Sequence, residues 1–207
     1  MQPTIPILLE DDSILCCVKP AGVLSQGANG AQPDLVRLLE AQTGGAIYPI
    51  HRLDRPVGGV MVFAKTQTAA AALNRQIAAG TLEKRYAALV HGDVAPESGV
   101  LEDLLFKDAR TNKVFVVKRP RKGVRPARLS YQVEEKTETA SRVAVLLDTG
   151  RTHQIRVQFA SRSHPVVGDR RYGAKDDSDV LCLWSRSVTF DHPDTGERMT
   201  IKQKEPF

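Results

Sequence analysis

Residues 142–160 read Arg-Val-Ala-Val-Leu-Leu-Asp-Thr-Gly-Arg-Thr-His-Gln-Ile-Arg-Val-Gln-Phe-Ala. The first part, from Arg142 to Asp148, has the β-branched, alternating character of an antiparallel strand. The part from Thr152 to Ala160 is more helix-like, because Ile155 and Phe159 lie four residues apart. The β-branched Val157 between them is also compatible with a strand. A strand that runs into a short helix predicts a mixed α and β architecture.

The same patterns recur along the rest of the chain. Strands are predicted at Ile7–Val18 (a pair or one bent strand, turning at Asp11-Asp12), Tyr48–Ile50, Gly59–Ala64, Lys84–Val90, Val114–Lys118, Leu129–Glu134 and Leu181–Phe190. Helices are predicted after the cap Asp34, closed by Gly44-Gly45, and after Thr66 or Thr68, ending at Gly80. No internal repeat or linker divides the chain. We therefore expect residues 1–207 to form a single α+β domain, with a mixed, mainly antiparallel central sheet flanked by helices and loops.

The composition is typical of a globular protein that folds without a metal or a disulfide. The 207 residues are 42% hydrophobic and 26% charged, and a domain of this length buries roughly 70% of its unfolded surface. The three cysteines and five histidines show no spacing typical of zinc ligands, so we expect reduced thiols, no metal and a cytoplasmic protein. Residues 1–10 lack the pattern of a signal peptide, and no apolar run is long enough to cross a bilayer.

The charge favours a polyanionic partner. Lys and Arg number 29 against 24 Asp and Glu, which gives a formal net charge of +5 and a pI of about 9.2. Six of the cations fall between residues 118 and 128, in a stretch broken by Pro120, Gly123 and Pro126, which predicts an exposed basic loop. For this loop alone, phosphate binding and a solvated hairpin tip explain the pattern about equally well.

One candidate for chemistry is the loop His51-Arg52-Leu53-Asp54-Arg55, which lies between two predicted strands. Loops braced by a sheet are frequent sites of function. The flanking Arg52 and Arg55 favour the ionised form of Asp54, and an ionised carboxylate can act as a nucleophile, a base or a stabiliser of a ribosyl cation. Taken alone, however, an aspartate between two arginines is more often a surface ion pair.

A second candidate is Gly150-Arg151-Thr152-His153-Gln154-Ile155-Arg156. On a helix, Thr152 and Arg156 share one face while His153 points away, and Arg156 could form a bidentate pair with Asp54. The alternative is a basic amphipathic helix that is merely solvated. Spacing alone does not decide between the two.

Together, these two segments resemble the signature pair of the RluA-type pseudouridine synthases. The similarity extends over nearly the whole chain: it includes Lys19-Pro20-Ala21-Gly22 after the first strands, Glu83–Val90 with its Lys-x-Tyr, His164-Pro165-Val166-Val167-Gly168-Asp169, and the closing His192-Pro193-x-x-Gly196. Several separated motifs in the right order are a specific signal.

The resemblance implies a function and a set of roles. It implies the pseudouridine synthase fold with an active-site cleft across the sheet, and isomerisation of uridine in structured RNA to pseudouridine without cofactor or metal. Asp54 would be the catalytic aspartate, Tyr86 the residue that stacks on the target base, and Arg156 the partner of the aspartate. The expected RNA-binding residues are Arg52, Arg55, Lys84, Arg119, Arg121, Lys122, Arg125, Arg151, His153 and Gln154.

The chain departs from the family pattern at two places. Val57-Gly58-Gly59 stand where the family often has Thr-Ser-Gly, and Trp184-Ser185 stand where it often has His-Ala. Because neither touches the three catalytic positions, we expect altered packing or RNA choice and retained activity.

Two other functions fit parts of the pattern. One is a non-catalytic RNA-binding or ribosome-assembly protein derived from such an enzyme, which the presence of Asp54, Tyr86 and Arg156 disfavours. The other is a glycosidase-like hydrolase that releases uracil. The sequence leaves open whether the substrate is rRNA or tRNA, and nothing in it demands more than a monomer.

Overall fold

The computed structural model describes residues 4–27 and 34–207; residues 1–3, part of the segment inspected for a signal peptide, lie outside that range. The chain divides into two compact units, residues 1–84 with 184–207, and residues 85–183. The strands are β1 (Ile7–Glu10), β2 (Ile14–Lys19), β3 (Tyr48–Pro49), β4 (Gly58–Ala64), β5 (Glu83–His91), β6 (Ser98–Asp108), β7 (Lys113–Val117), β8 (Val124–Lys136), β9 (Ala140–Leu147), β10 (Leu183–Asp191) and β11 (Arg198–Lys202). The helices are α1 (Leu35–Thr43), α2 (Gln67–Ala79) and α3 (Gln154–Ala160).

The first unit contains the sheet that carries the Asp54 loop. Its strands lie in the order β1-β2-β4-β10, with β11 antiparallel to β10 and β3 antiparallel to β4. The β1–β2 and β2–β4 pairs are antiparallel, whereas β4 and β10 pair in parallel through Gly58 and Gly59. β4 is buried at all seven positions, so the loop that carries Asp54 leads into the core of this unit.

The two helices of this unit begin and end where the sequence predicts. The Asp34 side chain accepts the Arg37 N–H at the start of α1, and Thr66, the first of the two threonine candidates, accepts the Ala69 N–H at the start of α2. Both helices end at glycines with positive φ, Gly44 and Gly80, because a residue without Cβ adopts that conformation at little cost. On its buried face, α2 packs Ala69 and Leu73 into the core of the unit.

The second unit is an antiparallel sheet in the order β5-β9-β8-β6-β7. Helix α3 packs against it through Val157, which joins a buried cluster with Leu105, Val114 and Ala127. The mainly antiparallel sheets with their helices confirm the predicted α+β class.

The basic stretch is shorter as a loop than predicted. Only residues 118–123 form a loop, since β8 begins at Val124, and Arg125 and Arg128 therefore lie on a strand. A proline is tolerated at position 126 because pairing of β8 with β9 begins only at Leu129. On the side of β8 that faces β9, position 126 therefore needs no N–H donor.

Two further predictions at the element level were wrong or incomplete. Helix α3 begins at Gln154, and His153 precedes it in the left-handed region with φ 52, so Thr152 and Arg156 do not share a helix face. Strand β6 was not predicted, because Leu101, Leu104 and Leu105 have the spacing of a helix face; pairing with β7 and β8 on its two sides makes it a strand.

Candidate active site

The Asp54 loop is fixed from within its own unit. The Ser25 hydroxyl lies 2.8 Å from the Leu53 carbonyl oxygen and 3.0 Å from the Leu53 nitrogen, so one side chain satisfies both backbone groups. The Arg55 carbonyl accepts the Gly22 N–H at 2.8 Å, and Arg55 Nε donates to the Gly22 carbonyl at 2.9 Å. The half-buried Asp54 therefore sits between two residues whose backbones are held in place.

A buried lysine lies behind this loop. Lys19 has no exposed surface, and its Nζ donates to the carbonyl oxygens of Pro20, Val23 and Arg55 at 2.9, 2.6 and 3.2 Å. Burial lowers the pKa of Lys19 to about 8, and the negative charge of Asp54 acts in the opposite direction. The ammonium thus contributes positive charge near Asp54 while tying the loop to the chain after β2.

The role of Lys19 was missed by the sequence reasoning, although Lys19-Pro20-Ala21-Gly22 was among the segments that carried the resemblance. A lysine at the end of an apolar strand, directly before Pro and Gly, was the available signal. Its burial could not be inferred, since lysine is almost never fully buried unless its charge is satisfied.

His51 belongs to the buried side of the loop. Its Nε2 lies 3.2 Å from the Val62 nitrogen and accepts that N–H, so Nδ1 carries the proton in the neutral ring. Nδ1 is buried and has no hydrogen-bond partner among residues 4–27 and 34–207. Burial, aided by the positive charge of Lys84, lowers the pKa of His51 to about 3, and the ring is therefore neutral at physiological pH.

The two departures from the family pattern meet at the exit of the loop. Trp184 pairs with Gly58, and Ser185 with Gly59. A Cβ on Gly58 would lie 2.4 Å from Trp184 Cζ3, and a Cβ on Gly59 would lie 2.3 Å from the Ser185 carbonyl oxygen. The indole therefore occupies the space that a side chain at position 58 requires, which makes the two departures physically linked.

In the second unit, Arg156 is buried and has a carboxylate partner. Its Nε lies 2.6 Å from Asp169 Oδ2 and its Nη2 lies 2.8 Å from Asp169 Oδ1, a bidentate pair. Only 6% of the Arg156 side chain and 1% of the Asp169 side chain are exposed. A guanidinium carries five N–H groups, so Arg156 can bind Asp169 and still donate to a second carboxylate. The predicted contact between Arg156 and Asp54 stays a prediction.

The neighbouring residues of the second motif are held by internal contacts. Tyr172 places its hydroxyl 2.8 Å from His153 Nδ1. Gln154 is buried; its Oε1 accepts from the Thr149 hydroxyl at 2.8 Å and the Arg151 N–H at 3.0 Å, and its Nε2 donates to the Arg128 carbonyl at 3.0 Å. The contacts observed for Gln154 are thus structural, and they shape the turn that presents Arg151.

Two predicted site residues lie on β5. Tyr86 is 6% exposed and faces Val145 of β9. Lys84 is half-buried, and burial lowers its pKa. The stacking role of Tyr86 and the RNA contact of Lys84 stay predictions.

The remaining predicted RNA-binding cations are exposed. Arg52, Arg119, Lys122 and Arg125 all lie at the surface. Arg121 is also exposed, and its guanidinium carbon lies 4.3 Å from the centroid of the Phe106 ring, which fixes one cation of the basic loop against the sheet. Arg151 Nε donates to the Pro126 carbonyl at 3.0 Å.

In residues 4–27 and 34–207, no group of three or more His, Cys, Asp and Glu side chains is arranged to hold a metal ion. Within the same residues, no helix has the length and apolarity needed to cross a membrane.

The chain is similar to curated bacterial proteins. It is 32% identical to the ribosomal large subunit pseudouridine synthase C of Buchnera aphidicola (strain APS) and 34% identical to that of Yersinia pestis, in each case over 95% of this chain but only 66% and 64% of the relative. A protein of Aquifex aeolicus named as an RNA pseudouridine synthase is 36% identical, over 98% of this chain and 70% of the relative. The chain thus spans slightly less than two thirds of the length of the synthase C relatives.

Solved structures agree on the fold. Human RNA pseudouridylate synthase domain containing 1 superposes with a TM-score of 0.82 at 23% identity, covering 100% of this chain and 87% of that chain. The human domain-containing 4 protein gives a TM-score of 0.80 at 22% identity, covering 97% and 88%. The RNA pseudouridylate synthase family model matches residues 13–161, a range that includes Lys19, the Asp54 loop and Arg156. With this match over most of its length and the same fold, the chain is a member of the RNA pseudouridylate synthase family.

Proposed function

We propose that this chain isomerises uridine in RNA to pseudouridine, with Asp54 as the catalytic carboxylate. The observation that carries the proposal is the Asp54 loop itself. In a member of this family, it is clamped by Ser25 and by the buried Lys19, so the carboxylate is presented from a rigid support.

The chemistry fits the residues present. The N1–C1′ bond of uridine breaks and a C5–C1′ bond forms, with a hydrogen lost from C5 and one gained at N1, so the product is an isomer. Breaking the glycosidic bond builds positive charge on the ribose, which a carboxylate stabilises. Asp54 could add to C1′ or to the base, or remove the C2′ proton; the proposal holds for each.

The other roles follow from the same proposal. The target base must leave its stack, at roughly a few kcal/mol, and Tyr86 stacks on it while Arg156 orients Asp54. Phosphate contacts offset that cost; they come from the exposed Arg52, Arg119, Arg121, Lys122, Arg125 and Arg151, together with Arg55, Lys84 and His153, while Gln154 acts through the turn before α3. We further propose that residues 1–207 act as a single catalytic domain, as a cytoplasmic monomer, without cofactor.

The substrate is proposed from the names of the relatives. Proteins named as ribosomal large subunit pseudouridine synthases match most of this chain, so we propose large-subunit rRNA as the first RNA to test and tRNA as the second. The relatives' additional length makes this a question for experiment on the chain itself.

The decisive experiment is Asp54→Asn. Purified protein is incubated with rRNA and tRNA, and pseudouridine is mapped chemically. We expect the wild-type chain to form pseudouridine, and Asp54→Asn to lose at least about 10³-fold in rate while it keeps its fold and its RNA affinity.

The matched control is Asp12→Asn, which removes an exposed carboxylate from the turn between β1 and β2; it should retain full activity. Wild-type turnover by Asp54→Asn would contradict the assignment of Asp54. Release of free uracil would indicate hydrolysis in place of isomerisation, and RNA binding with no product from any RNA would indicate the non-catalytic alternative.

A further inference from the structure

The segment Gly168–Gly173, called here the Asp169 turn, contacts two residues of the Gly150–Arg156 motif, Arg156 and His153. Asp169 forms the bidentate pair with Arg156 at 2.6 and 2.8 Å. Three residues on, Tyr172 places its hydroxyl 2.8 Å from His153 Nδ1. One short turn therefore fixes the directions of Arg156 and His153.

Tyr172 adds contacts with its ring. The Arg156 guanidinium carbon lies 5.1 Å from the ring centroid, and Lys113 Nζ lies 5.5 Å from it. The Tyr172 hydroxyl also accepts the Val114 N–H of β7 at 2.9 Å. Because its hydroxyl is hydrogen-bonded to the Val114 N–H of β7, the Tyr172 ring cannot move without breaking that bond. The ring therefore restricts the Arg156 guanidinium in addition to the Asp169 carboxylate.

Helix α3 needs such support. It has only seven residues and no side-chain cap at its start, and helices this short are not stable by themselves. His153 adopts φ 52, a conformation that costs a non-glycine residue about 1 kcal/mol or more. The orientation of the motif is therefore set by tertiary contacts and not by the helix.

The Asp169 turn is itself rigid. Gly168 has φ +80, and a Cβ at this position would lie 2.0 Å from the Val180 carbonyl oxygen, so only glycine fits. Both oxygens of Asp176 lie 3.1 Å from the Gly168 nitrogen, and Asp176 Oδ2 lies 2.6 Å from His91 Nε2. The Gly168 N–H and His91 hold the pKa of Asp176 at about 2, so this brace is ionised throughout the physiological range.

We propose that Asp169 and Tyr172 are positioning residues that hold Arg156 and His153 in their working directions before RNA binds. This inference rests on the proposed function, in which Arg156 orients Asp54. Its physical content is that the guanidinium is already oriented in the free protein, so no ordering cost falls on the reaction.

The test separates positioning from stability. Asp169→Asn keeps the shape of the side chain but removes its charge. Under single-turnover conditions with saturating enzyme, we expect the rate to fall about 10²-fold, with the RNA dissociation constant changed less than about threefold. In an Arg156→Lys background, which already lacks the bidentate fork, Asp169→Asn should cost less than about threefold more.

The matched control acts on the other end of α3. Asp103 binds Arg162 Nη1 at 2.8 Å and Gln158 Nε2 at 2.7 Å, so Asp103→Asn also removes a carboxylate that anchors this helix. It should lower the melting temperature and leave the single-turnover rate within about twofold of wild type. Equal rate losses in the two variants at a matched fraction folded would show a structural role and overturn the inference.

Tyr172→Phe serves if Asp169→Asn does not fold. It retains the ring and the Arg156–Asp169 pair but loses the contacts of the hydroxyl with His153 and with the Val114 N–H, and it should lower the rate about tenfold. A rate equal to wild type for a folded Tyr172→Phe would remove Tyr172 from the proposal, and a rate equal to wild type for a folded Asp169→Asn would remove Asp169.

An activity-independent measurement keeps this inference separate from the proposed function. In RNA-free wild-type protein, the Arg156 Nε–H should be protected from solvent exchange by NMR, and Asp169→Asn should abolish that protection. Fast exchange in the wild type would contradict preorganisation whatever the activity. A wild type with a protected Nε–H that makes no pseudouridine would instead contradict the proposed function alone.

Discussion

At the scale of single residues, the first unit surrounds Asp54 with groups whose ionisation is shifted by burial. Burial lowers the pKa of Lys19 to about 8, and the negative charge of Asp54 opposes that shift, so the ammonium form predominates at pH 7. Burial also lowers the pKa of His51, to about 3. At pH 7 the loop therefore has a mainly protonated lysine and a neutral imidazole.

The shift at His51 predicts a pH-dependent stability. Its folded pKa of about 3 lies below the unfolded value of about 6.5. The unfolded chain therefore binds the proton first, and the contribution of His51, complete above pH 6.5, is lost as the pH falls towards 3. Between pH 7 and pH 4, this single group should reduce the free energy of unfolding by about 3 kcal/mol.

Urea unfolding of the wild type and of His51→Asn measures this effect. The difference in unfolding free energy between the two should shrink by about 3 kcal/mol from pH 7 to pH 4. A His192→Asn control, whose ring contacts Asp11 near the surface, should show no comparable convergence. If the His51 ring titrated near pH 6 by NMR, the explanation by burial would be wrong.

At the scale of elements, the parallel pairing of β4 with β10 restricts which residues can follow the Asp54 loop. The sequence shows Val57-Gly58-Gly59 and Trp184-Ser185 as two separate departures. In the structure the two departures are in contact, since the Trp184 indole occupies the space that a side chain at position 58 would fill. A serine at 58 and a tryptophan at 184 therefore exclude one another.

This exclusion predicts a coupling between two substitutions. Gly58→Ser alone should destabilise the protein by about 1–3 kcal/mol through overpacking. In a Trp184→His background, the smaller ring leaves room, so the same change should cost about 1–2 kcal/mol less. Urea denaturation of the four proteins measures the coupling.

Gly59→Ser provides the contrast. Its Cβ would meet the Ser185 backbone at 2.3 Å, and its φ is +119, so Trp184→His should not relieve it. Rescue of Gly59→Ser by Trp184→His, or additivity for Gly58→Ser, would contradict the packing described above.

At the scale of the whole molecule, the net charge of +5 matters less than where the cations lie. The loop of residues 118–123 carries exposed Arg119 and Lys122 between β7 and β8. Cations that neutralise phosphates release counterions, and binding then weakens with salt in proportion to the number of contacts.

Removing two loop cations should therefore change both affinity and salt dependence. Arg119→Ala with Lys122→Ala should weaken RNA binding uniformly across sequences and lower the slope of log K against log salt by about two. Filter binding at several salt concentrations provides the measurement. Arg37→Ala with Arg75→Ala, exposed cations of α1 and α2, removes the same charge and should leave the slope unchanged. Equal effects of the two pairs would indicate a general electrostatic attraction without a dedicated loop contact.

Much of the fold could be predicted because its signals are local. The apolar run Ile14–Val18, the alternation in Arg142–Leu147 and the caps Asp34, Thr66, Gly44 and Gly80 lie within or next to the elements that they define. Strand β6 could not be predicted in this way. Its leucines fit a helix as well as a strand, and only pairing on both sides selects the strand.

The sequence by itself determined the family, through short motifs in a fixed order, together with most element boundaries. Only the tertiary structure decided that Arg156 binds Asp169, that Lys19 is buried under the Asp54 loop, and that Gly58 faces Trp184. The reason is physical: alternation and capping act between neighbours in the chain, whereas a buried ion pair or a close backbone approach joins residues that only packing brings together.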